Sequence, residues 1–408
     1  MSRKHAPAGN ILMVSNHASD VGYAWWLMEN FWAEIANHYA AKGRRSFVVY
    51  PRVTTLSERI TQAPVEVTEL DWHDRSPRAV RRLRDFIRTN HIVIVYLTDA
   101  AYFDTLYARL RWWGVKVIVD HDHSGAERPP AKLVTRMIKG TGHRIGIASC
   151  DHYIGVSRFI HERFMAHVCV PPSRCSFVIN GIEPVVPEER CRRYARDAFG
   201  IPDDAVVVVS TGRANRVKGI DFLITCAHTL INERGLRHLW FLHCGDGPDL
   251  DEFRQLVTQR GLEGRFILAG RRDDVRCILQ SCDIAIQASV CEAFSLSLIE
   301  YLSAGLATLA PAVCGNLEAI ENGVTGHLYP SRDAEVVVRL LERLASDPAC
   351  RAQLGEAARR AAGEHFTLQR CNQELLATLD AVIGESPAIP AHSPSTSPRF
   401  IPPARPQA

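Results

Sequence analysis

Short, continuously apolar segments alternate along this chain with longer segments whose apolar residues recur at helical spacing, such as 25–43. In the first half, the apolar segments that predict strands are 11–15, 47–50, 92–97, 115–120 and 153–157. In the second half, they are 205–210, 239–245, 265–270, 282–288 and 306–311. Continuous apolar strands interleaved with helices predict parallel sheets that helices cover on both faces. Two such series predict an α/β protein with two doubly wound, Rossmann-like domains.

The segment 180–189 is the expected boundary between the two domains, because it contains two prolines and has no apolar periodicity. We therefore predict a first domain over residues 1–185 and a second over residues 186–384, with the option that the final helix packs back on the first domain. Residues 385–408 are rich in proline and serine, a composition that predicts a disordered tail.

The composition is that of an ordinary globular protein, with 46% apolar and 23% charged residues. No apolar run approaches the roughly 20 residues of a membrane-spanning helix, and segment 11–15 is too short for the core of a signal peptide. The twelve cysteines form no CxxC pair, and several, including Cys226, Cys244 and Cys282, lie in apolar stretches. These features predict reduced cysteines, no disulfide framework, no zinc site and a cytoplasmic location.

Positive charge is concentrated in the first half of the chain. Residues 1–184 contain 24 Lys and Arg residues against 17 Asp and Glu residues, whereas the remainder contains 24 against 28. A basic half suits an anionic partner, which could be a membrane surface, a phosphorylated acceptor or nucleic acid; the alternative is an Arg-rich, solvated helix over 75–88. On that helix Asp85 interrupts a row of arginines that begins at Arg78, so we predict only weak, salt-sensitive association with anionic membranes.

Charged residues follow two of the predicted strands in the second half. Arg213 and Lys218 come soon after the first strand of that half. Glu292 and Glu300, separated by seven residues, come after its fourth strand. In open parallel sheets, ligands bind beyond the carboxyl ends of the strands, where helix N-termini offer N–H groups to anions. The cations therefore suit a pyrophosphate, and the carboxylates suit the hydroxyl groups of sugars and riboses.

Five stretches in the second half carry a resemblance to a known family. In chain order they are STGRANRVKGIDFLI, HCGDGPDL, FILAGRRDDV, ASVCEAFSLSLIEYLSAGLATLAP and CGNLEAIENGVTGHLYP. The first half matches more loosely, through VIVDHDHSG, DHYIGVSRFI and VINGIEP. The sequence resembles the retaining glycosyltransferases of the GT-B fold that carry a Glu-x7-Glu motif, often called the family 4 type. The resemblance covers about residues 11–384 and implies two Rossmann-like domains that face each other across a cleft.

Carried over position by position, the resemblance implies a binding site for a nucleotide-diphosphate sugar, the donor. Arg213 and Lys218 would neutralise its diphosphate and stabilise the leaving group. Glu292 would hold a hydroxyl of the transferred sugar, and Glu300 would bind the ribose hydroxyls. The other implied donor contacts are Arg271 beside the base and the backbone N–H groups of Phe294, Ser295 and Leu296.

Two positions in the first half complete the implied site. His121, at a predicted strand end, matches the family's histidine that faces the reacting centre, and His123 in the same segment is the alternative. Many relatives carry a Gly-Gly pair after the first strand, where bare backbone approaches the diphosphate. Here Gly22 stands alone beside Tyr23, so Gly22 is the predicted phosphate contact of the first domain.

These positions also have ordinary structural explanations. Ser297 and Glu300 have the spacing of a capping box at a helix N-terminus. Isolated cations such as Arg213 are usually solvated loop charges, and a histidine at a strand end, such as His121, can simply satisfy backbone groups. The order and spacing of the five motifs favour the donor-binding interpretation.

A metal site is a further alternative, because two acidic triplets spell the Asp-x-Asp motif that holds a divalent metal in the other large glycosyltransferase fold. The triplets are Asp120-His121-Asp122 and Asp249-Leu250-Asp251. Motifs this short arise by chance in a chain of this length, and the cationic pair described above supplies the charge that a metal would bring to the leaving phosphate. We predict no catalytic metal and no cofactor besides the donor substrate.

The function that these features predict is transfer of a hexose, or a derivative of one, from a nucleotide sugar with retention of configuration. The expected acceptor is a glycan or a lipid-linked molecule of cell-envelope or polysaccharide biosynthesis, and no nucleic acid is expected as a partner. The expected location is cytoplasmic, with a peripheral position at the inner membrane face as an option. Two alternatives stay open: a nucleotide-sugar epimerase or phosphorylase on the same fold, and a non-catalytic scaffold that binds a nucleotide sugar.

Overall fold

A computed structural model describes residues 8–22, 25–125 and 132–385 of the chain. These residues divide into two compact units. The first unit contains the described residues up to Ile179 together with those from Gln369 onward, and the second contains Asn180–Leu368. The chain therefore passes from the first unit to the second between residues 179 and 180, whereas the sequence predicted the boundary between residues 185 and 186. The predicted disordered tail lies outside the described residues, except for Glu385.

Seven parallel strands form the sheet of the first unit, in the order β3-β2-β1-β4-β5-β6-β7. They are β1 (Asn10–Val14), β2 (Ser46–Tyr50), β3 (Val65–Glu69), β4 (Ile92–Thr98), β5 (Val117–Asp122), β6 (His152–Gly155) and β7 (Cys175–Phe177). The five predicted strands are confirmed, and β3 and β7 are additions. β3 lies at the sheet edge and alternates apolar and polar residues, so it lacks the continuous apolar run that marks the central strands.

Helices connect the strands of the first unit. They are α1 (Trp25–Ala40), α2 (Glu58–Gln62), α3 (Pro77–Thr89), α4 (Thr105–Trp113), α5 (Leu133–Ile145) and α6 (Arg158–Arg163). The predicted helical segment 25–43 is confirmed by α1, whose inward side chains, such as Phe31, Trp32 and Ile35, are fully buried. α3 starts at Pro77 because the Ser76 hydroxyl caps it by accepting from the Ala79 N–H.

Six parallel strands form the sheet of the second unit, in the order β10-β9-β8-β11-β12-β13. They are β8 (Val206–Thr211), β9 (Leu239–Cys244), β10 (Phe266–Leu268), β11 (Ile284–Ile286), β12 (Ala307–Pro311) and β13 (His327–Tyr329). The helices of this unit are α7 (Tyr194–Phe199), α8 (Ile220–His228), α9 (Leu250–Gln259), α10 (Val275–Leu279), α11 (Leu296–Ala304), α12 (Asn316–Ala319), α13 (Ala334–Ser346) and α14 (Pro348–His365). The five predicted strands are confirmed, and β13, three residues long, is an addition.

The last helix, α15 (Leu368–Ile383), packs against α1 of the first unit. Asp380 is the centre of this contact: its carboxylate accepts hydrogen bonds from Lys42 Nζ at 2.7 Å and from His38 Nε2 and Tyr39 Oη at 3.0 Å. Asn372 of α15 also accepts a bond from the Asn30 amide at 2.9 Å. From Gln369 onward, α15 is thereby part of the first unit.

We expect Asp380→Ala to lower the free energy of unfolding of the first unit by about 1.5–3 kcal/mol, because it removes several charge-assisted hydrogen bonds. Burial raises the pKa of Asp380, but the bonds from Lys42 and His38 lower it more, so the net pKa lies below its usual range. This stabilisation is therefore lost as the pH falls through that lowered value. Thermal unfolding measures the effect, with Asp85→Ala, an exposed carboxylate on α3, as the control. Equal losses in the two variants would contradict the role of Asp380.

Two disulfides in the second unit correct the prediction that all cysteines are reduced. They join Cys191 to Cys277 and Cys291 to Cys314. The partners are separated by 86 and 23 residues, so only the folded arrangement of the loops shows which thiols meet. Cys226, Cys244 and Cys282 are free, as the sequence predicted.

Candidate active site

The loops that follow β8 and β11 meet closely at the carboxyl edge of the second sheet. Gly219, at the end of the β8 loop, has a left-handed φ of 71°. A Cβ atom at Gly219 would lie 2.2 Å from the carbonyl oxygen of Ala288, which follows β11. Glycine is therefore required for this approach, which brings together the two loops that carry the predicted donor-binding residues.

Lys218 and Glu292, predicted from separate motifs, form an ion pair across these two loops. Lys218 Nζ lies 2.5 Å from Glu292 Oε1, and the side chains are 30% and 16% exposed. Lys218 ends a short turn in which the Asn215 side chain accepts the Lys218 backbone N–H at 3.2 Å. The lysine is thus held in place and still open to a ligand. Arg213 lies on the same loop with its side chain exposed.

The Glu292 loop is fastened to the loop that follows β12. The Gly315 N–H donates to the carbonyl oxygen of Glu292 at 3.1 Å. A Cβ atom at Gly315 would lie 2.0 Å from the carbonyl oxygen of Ala293, so the backbones touch. The disulfide Cys291–Cys314 links the same two loops immediately beside Glu292. Three attachments therefore fix the carboxylate that is predicted to hold the sugar.

Reduction of Cys291–Cys314 is expected to raise the KM for the donor on the order of tenfold, because small displacements of a positioning group are costly. A dithiol reductant supplies two electrons and two protons, yielding two cysteine thiols and the reductant's own disulfide. Donor kinetics with and without reductant measure this effect. Cys291→Ser, which keeps the Cys191–Cys277 disulfide, should show the raised KM without any reductant, whereas Cys350→Ser, which removes a free thiol, should behave as wild type. An unchanged KM on reduction would contradict the prediction.

The N-terminus of α11 presents backbone N–H groups beside this ion pair. The Ser295 hydroxyl caps the helix by accepting from the Leu298 N–H at 3.3 Å, and it also accepts from the Gln287 amide at 2.7 Å. Within residues 8–22, 25–125 and 132–385, no group accepts a bond from the N–H of Phe294, Ser295 or Leu296. Three N–H groups at a helix N-terminus are a ready site for an anion.

Glu300 lies one turn further along α11 and is partly exposed. Because Ser295 is the cap, the capping-box explanation of Ser297 and Glu300 is wrong. Burial raises the pKa of Glu300 to about 7, although Arg276 lowers it. In the described part of the chain, no hydrogen-bond donor or salt-bridge partner reaches the Glu300 carboxylate. A carboxylate in this state can accept bonds from ligand hydroxyl groups.

Tyr301 is a supporting residue that the motifs did not reveal. Its hydroxyl accepts the Thr211 N–H at 2.6 Å and lies 2.9 Å from the Thr211 hydroxyl. It thereby ties α11 to the end of β8, just before Arg213. The signal in the sequence was its place beside Glu300 within an apolar run, which is also typical of an ordinary core residue.

Arg271, the predicted neighbour of the base, lies on the loop after β10 with 60% of its side chain exposed. Its Nε is 3.8 Å from Asp273, also an exposed side chain. The adjacent Arg272 is instead held by Asp274 and packs over the Phe199 ring. Arg271 is therefore the more exposed of the two arginines, and its contact with the base stays a prediction.

The two candidate histidines of the predicted site, His121 and His123, differ in exposure. His121, at the end of β5, is fully buried and packs against Phe31, and its Nδ1 lies 2.5 Å from the Tyr96 hydroxyl. His123 is partly exposed. Burial lowers the pKa of His121 well below its usual range and that of His123 to about 4, so both rings are neutral at neutral pH. The His121 ring is buried and the His123 ring is partly exposed, and which of the two faces the reacting centre stays a prediction.

Gly22 lies at the N-terminal side of α1 with a left-handed φ of 70°. Its carbonyl oxygen accepts the Trp25 N–H at 3.2 Å. Tyr23, the next residue in the sequence, lies outside the described residues. The phosphate contact by Gly22 therefore stays a prediction.

The acidic triplets that spell Asp-x-Asp are engaged within their own units. Asp120 accepts the Ala100 N–H at 3.0 Å, and Asp122 forms a buried ion pair with Arg163 at 2.9 Å. In the second triplet, Asp249 accepts the Arg216 N–H and Asp251 pairs with Arg254. Among the described residues, no group of three or more His, Cys, Asp or Glu side chains could hold a metal ion.

Two family matches cover most of the chain. Residues 28–186 match the family described as Glycosyltransferase Family 4, and residues 192–361 match the family described as Glycosyl transferases group 1. Each match covers less than half of the chain, and together they span most of the two parallel-sheet units.

Three curated relatives illustrate the sequence similarity. N-acetyl-alpha-D-glucosaminyl L-malate synthase of Bacillus anthracis is 26% identical over 228 residues, or 56% of this chain and 58% of that protein. D-inositol 3-phosphate glycosyltransferase of Salinispora arenicola is 31% identical over 217 residues, or 51% and 47%. Lipopolysaccharide core biosynthesis glycosyltransferase LpsE of Rhizobium meliloti is 30% identical over 161 residues, or 40% and 46%. The chain spans about half the length of these relatives.

Solved structures share the fold. A glycosyltransferase from Rickettsia africae has a TM-score of 0.76 at 16% identity, covering 93% of this chain and 99% of that chain. Anabaena HepE in complex with UDP-glucose has a TM-score of 0.71 at 18% identity, covering 91% and 99%. These similarities establish the GT-B fold.

Proposed function

We propose that the protein is a glycosyltransferase that moves a hexosyl group from a nucleotide-diphosphate sugar to an acceptor, with retention of configuration. The observation that carries this proposal is the Lys218–Glu292 ion pair beside the N–H groups that open α11. The arrangement offers a cation and backbone donors for a diphosphate, and a carboxylate for a sugar hydroxyl, within one small region. The UDP-glucose complex of the structural relative HepE supports this class of donor.

Bond breaking places negative charge on the leaving diphosphate. As the bond between the anomeric carbon and the phosphate oxygen breaks, its electron pair passes to that oxygen. Arg213, Lys218 and the N-terminus of α11 stabilise the developing charge. The acceptor hydroxyl bonds to the same face of the sugar, and its proton passes to the departing phosphate oxygen. Retention follows from departure and attack on one face.

The two paired side chains act together in this scheme. While the site is empty, Lys218 Nζ contacts Glu292 Oε1 at 2.5 Å. When the donor binds, the diphosphate supplies a second anion for Lys218, and Glu292 accepts a hydroxyl of the sugar. Glu300, whose pKa is raised to about 7 by burial, accepts hydrogen bonds from the ribose hydroxyls.

Glycosyl transfer requires no metal in this scheme, because the cations and the helix N-terminus supply the positive charge. We expect activity to survive excess EDTA and to be insensitive to added manganese or magnesium beyond an effect of ionic strength. Initial rates with and without chelator test this. Loss of activity in EDTA with recovery in one divalent ion would assign a metal to Asp120 and Asp122.

A direct test begins with a panel of UDP-, GDP- and ADP-sugars. A donor that binds should raise the melting temperature, because a ligand of the native state stabilises it by mass action. Release of nucleoside diphosphate and the anomeric configuration of the product then identify transfer. Binding without turnover would favour the scaffold, formation of an isomeric nucleotide sugar would favour the epimerase, and dependence on inorganic phosphate would favour the phosphorylase.

The acceptor is proposed to be a glycan or a lipid-linked molecule of the cell envelope. The lipopolysaccharide glycosyltransferase among the relatives supports this class. The basic first half of the chain adds a weak attraction to anionic membranes, with 24 Lys and Arg residues against 17 Asp and Glu residues. No helix in the described ranges is both long and apolar enough to cross a bilayer. We propose an enzyme that visits an anionic membrane surface, where such an acceptor is held.

A further inference from the structure

The two sheets share one feature of strand order. In the second sheet, β8 lies beside β11, and the chain continues from these two strands toward opposite edges. Lys218 follows β8 and Glu292 follows β11. In the first sheet, β1 and β4 have the equivalent places. Open parallel sheets bind ligands at such a switch point, in the crevice beyond the carboxyl ends of the strands. The first unit therefore has a ligand crevice of its own, at the ends of β1 and β4.

Asp99 follows β4 directly, at this crevice. Its φ of 51° is left-handed, a conformation that few residues other than Gly, Asn and Asp adopt. Asp99 Oδ1 accepts the His123 N–H at 2.6 Å, which joins the loops that follow β4 and β5. Asp99 is nevertheless exposed. Because an ionised carboxylate can accept about four hydrogen bonds, Asp99 can still accept bonds from a ligand.

Two further polar side chains lie on the neighbouring loops. The Asn16 amide, after β1, donates to the carbonyl oxygen of Thr98 and, at 3.5 Å, to that of Asp99. Asn16 Oδ1 lies 3.1 Å from Nε2 of His73, an exposed residue after β3. These contacts bring the loops after β1, β3 and β4 together around a group of hydrogen-bond donors and acceptors.

Buried polar atoms without partners occur at the same strand ends. Within residues 8–22, 25–125 and 132–385, no hydrogen-bond partner reaches Thr98 Oγ1, His121 Nε2 or His123 Nε2. Thr98 and His121 are neighbours across β4 and β5, and the centroids of the two histidine rings are 4.2 Å apart. Since buried polar atoms are nearly always paired, this concentration of unpaired atoms indicates a place where a ligand completes the hydrogen bonding.

The charges of these loops differ from those of the donor loops in the second unit. Segments 15–22, 99–104 and 123–125, which follow β1, β4 and β5, contain no Lys or Arg. Arg163, a cation on α6, is already bound to Asp122 at 2.9 Å. A phosphate or carboxylate at this crevice would therefore meet the Asp99 charge without a lysine or arginine on these loops to offset it. Neutral hydroxyl groups, in contrast, donate hydrogen bonds to a carboxylate.

We propose that this crevice binds the acceptor through a neutral sugar unit, with Asp99 accepting a hydrogen bond from one of its hydroxyl groups. This inference rests on the proposed function, because it names the class of molecule that receives the hexosyl group. Binding of a free sugar requires neither donor nor transfer. Failure of this proposal can therefore be distinguished from failure of the proposed function.

Saturation-transfer NMR on the full chain tests the binding of simple sugars. The neutral probes are the methyl α-glycosides of glucose, galactose and mannose, and the anionic probes are the 6-phosphates of the same hexoses. The measurement is made at about pH 8, because loss of hydration and the Asp122 charge raise the pKa of Asp99 to about 7. We expect at least one glycoside to bind, and to bind more tightly than its 6-phosphate counterpart.

Asp99→Asn is the decisive variant, because asparagine tolerates the left-handed φ and can still accept the His123 N–H. Its affinity for the glycoside should fall about tenfold, since a charge-assisted hydrogen bond is lost. Its affinity for the 6-phosphate should rise, since the repulsion is removed. A purely structural role of Asp99 would weaken both. Asp85→Asn makes the same change on the exposed surface of α3 and should bind both probes as wild type.

Three results would overturn the proposal: equal glycoside binding by Asp99→Asn and wild type, tighter binding of the 6-phosphates by wild type, or no glycoside binding by wild type. The rise in melting temperature with a nucleotide sugar is recorded on the same samples. Its retention in Asp99→Asn would show that the donor site is intact. Its absence from wild type would count against the proposed function and would leave the result with the glycosides unaffected.

Discussion

Replacement of Lys218 or Arg213 by Ala is expected to slow sugar transfer by roughly 10²–10³, because each removes one preorganised positive charge from the leaving phosphate. The fold should be retained, since Arg213 is exposed and Lys218 is partly exposed. Lys218→Ala also leaves Glu292 without its 2.5 Å partner. Its loss should therefore be at least as large as that of Arg213→Ala. Steady-state kinetics with a saturating acceptor measure both effects.

Arg216 provides the matched control for these two variants. It lies on the same turn as Lys218, carries the same charge and is 71% exposed, but it is occupied by Glu252 at 2.7 Å. Arg216→Ala should therefore change the rate by no more than a few-fold. If it slowed transfer as much as Lys218→Ala, general positive charge on the loop would explain the rates, and the specific role of Lys218 would be wrong.

Glu300→Gln is expected to move stability and binding in opposite directions. The folded protein raises the pKa of Glu300 from its ordinary 4.5 to about 7, mainly through burial. The folded state therefore binds the proton more tightly than the unfolded state, and ionisation of Glu300 destabilises the protein as the pH rises from 4.5 through 7. A neutral Gln avoids this cost. The free variant should melt at a higher temperature than wild type above about pH 7 and lose the pH dependence that Glu300 contributes.

Nucleotide affinity should change in the other direction. The ionised carboxylate is the better acceptor for ribose hydroxyls, so wild-type affinity should increase as the pH rises through about 7. Glu300→Gln should bind more weakly at high pH and show little of this dependence. Calorimetric titration at low and high pH measures the affinity, with the exposed Glu321→Gln as the control. A variant that bound nucleotide as tightly as wild type at high pH would contradict the ribose role.

The sequence predicted the central strands because a strand that is buried on both faces consists of consecutive apolar residues. β8 is a run of valines that are almost fully buried, so its apolar pattern is unambiguous. β3 alternates apolar with polar residues, and β7 and β13 are three residues long, too short for a periodic signal. Edge strands and short strands are defined by their neighbours rather than by their own residues.

For the candidate site, too, the sequence predicted one part and only the structure shows the other. Arg213, Lys218, Glu292 and Glu300 were predicted as site residues because their spacing after two strands follows from the architecture of a parallel sheet. The ion pair, the raised pKa of Glu300 and the pairing of Cys291 with Cys314 depend on contacts between distant loops. The burial of His121 depends on α1, which packs over the end of β5 through Phe31. No local pattern carries that information.

The position of α15 also has a consequence for synthesis on the ribosome. The described residues of the second unit form one uninterrupted segment, which is synthesised before Gln369. The first unit starts earlier but receives the residues of α15 from Gln369 onward only after that whole segment has been made. During translation, Lys42 and His38 therefore have no Asp380 to pair with until the strands of both sheets have been synthesised.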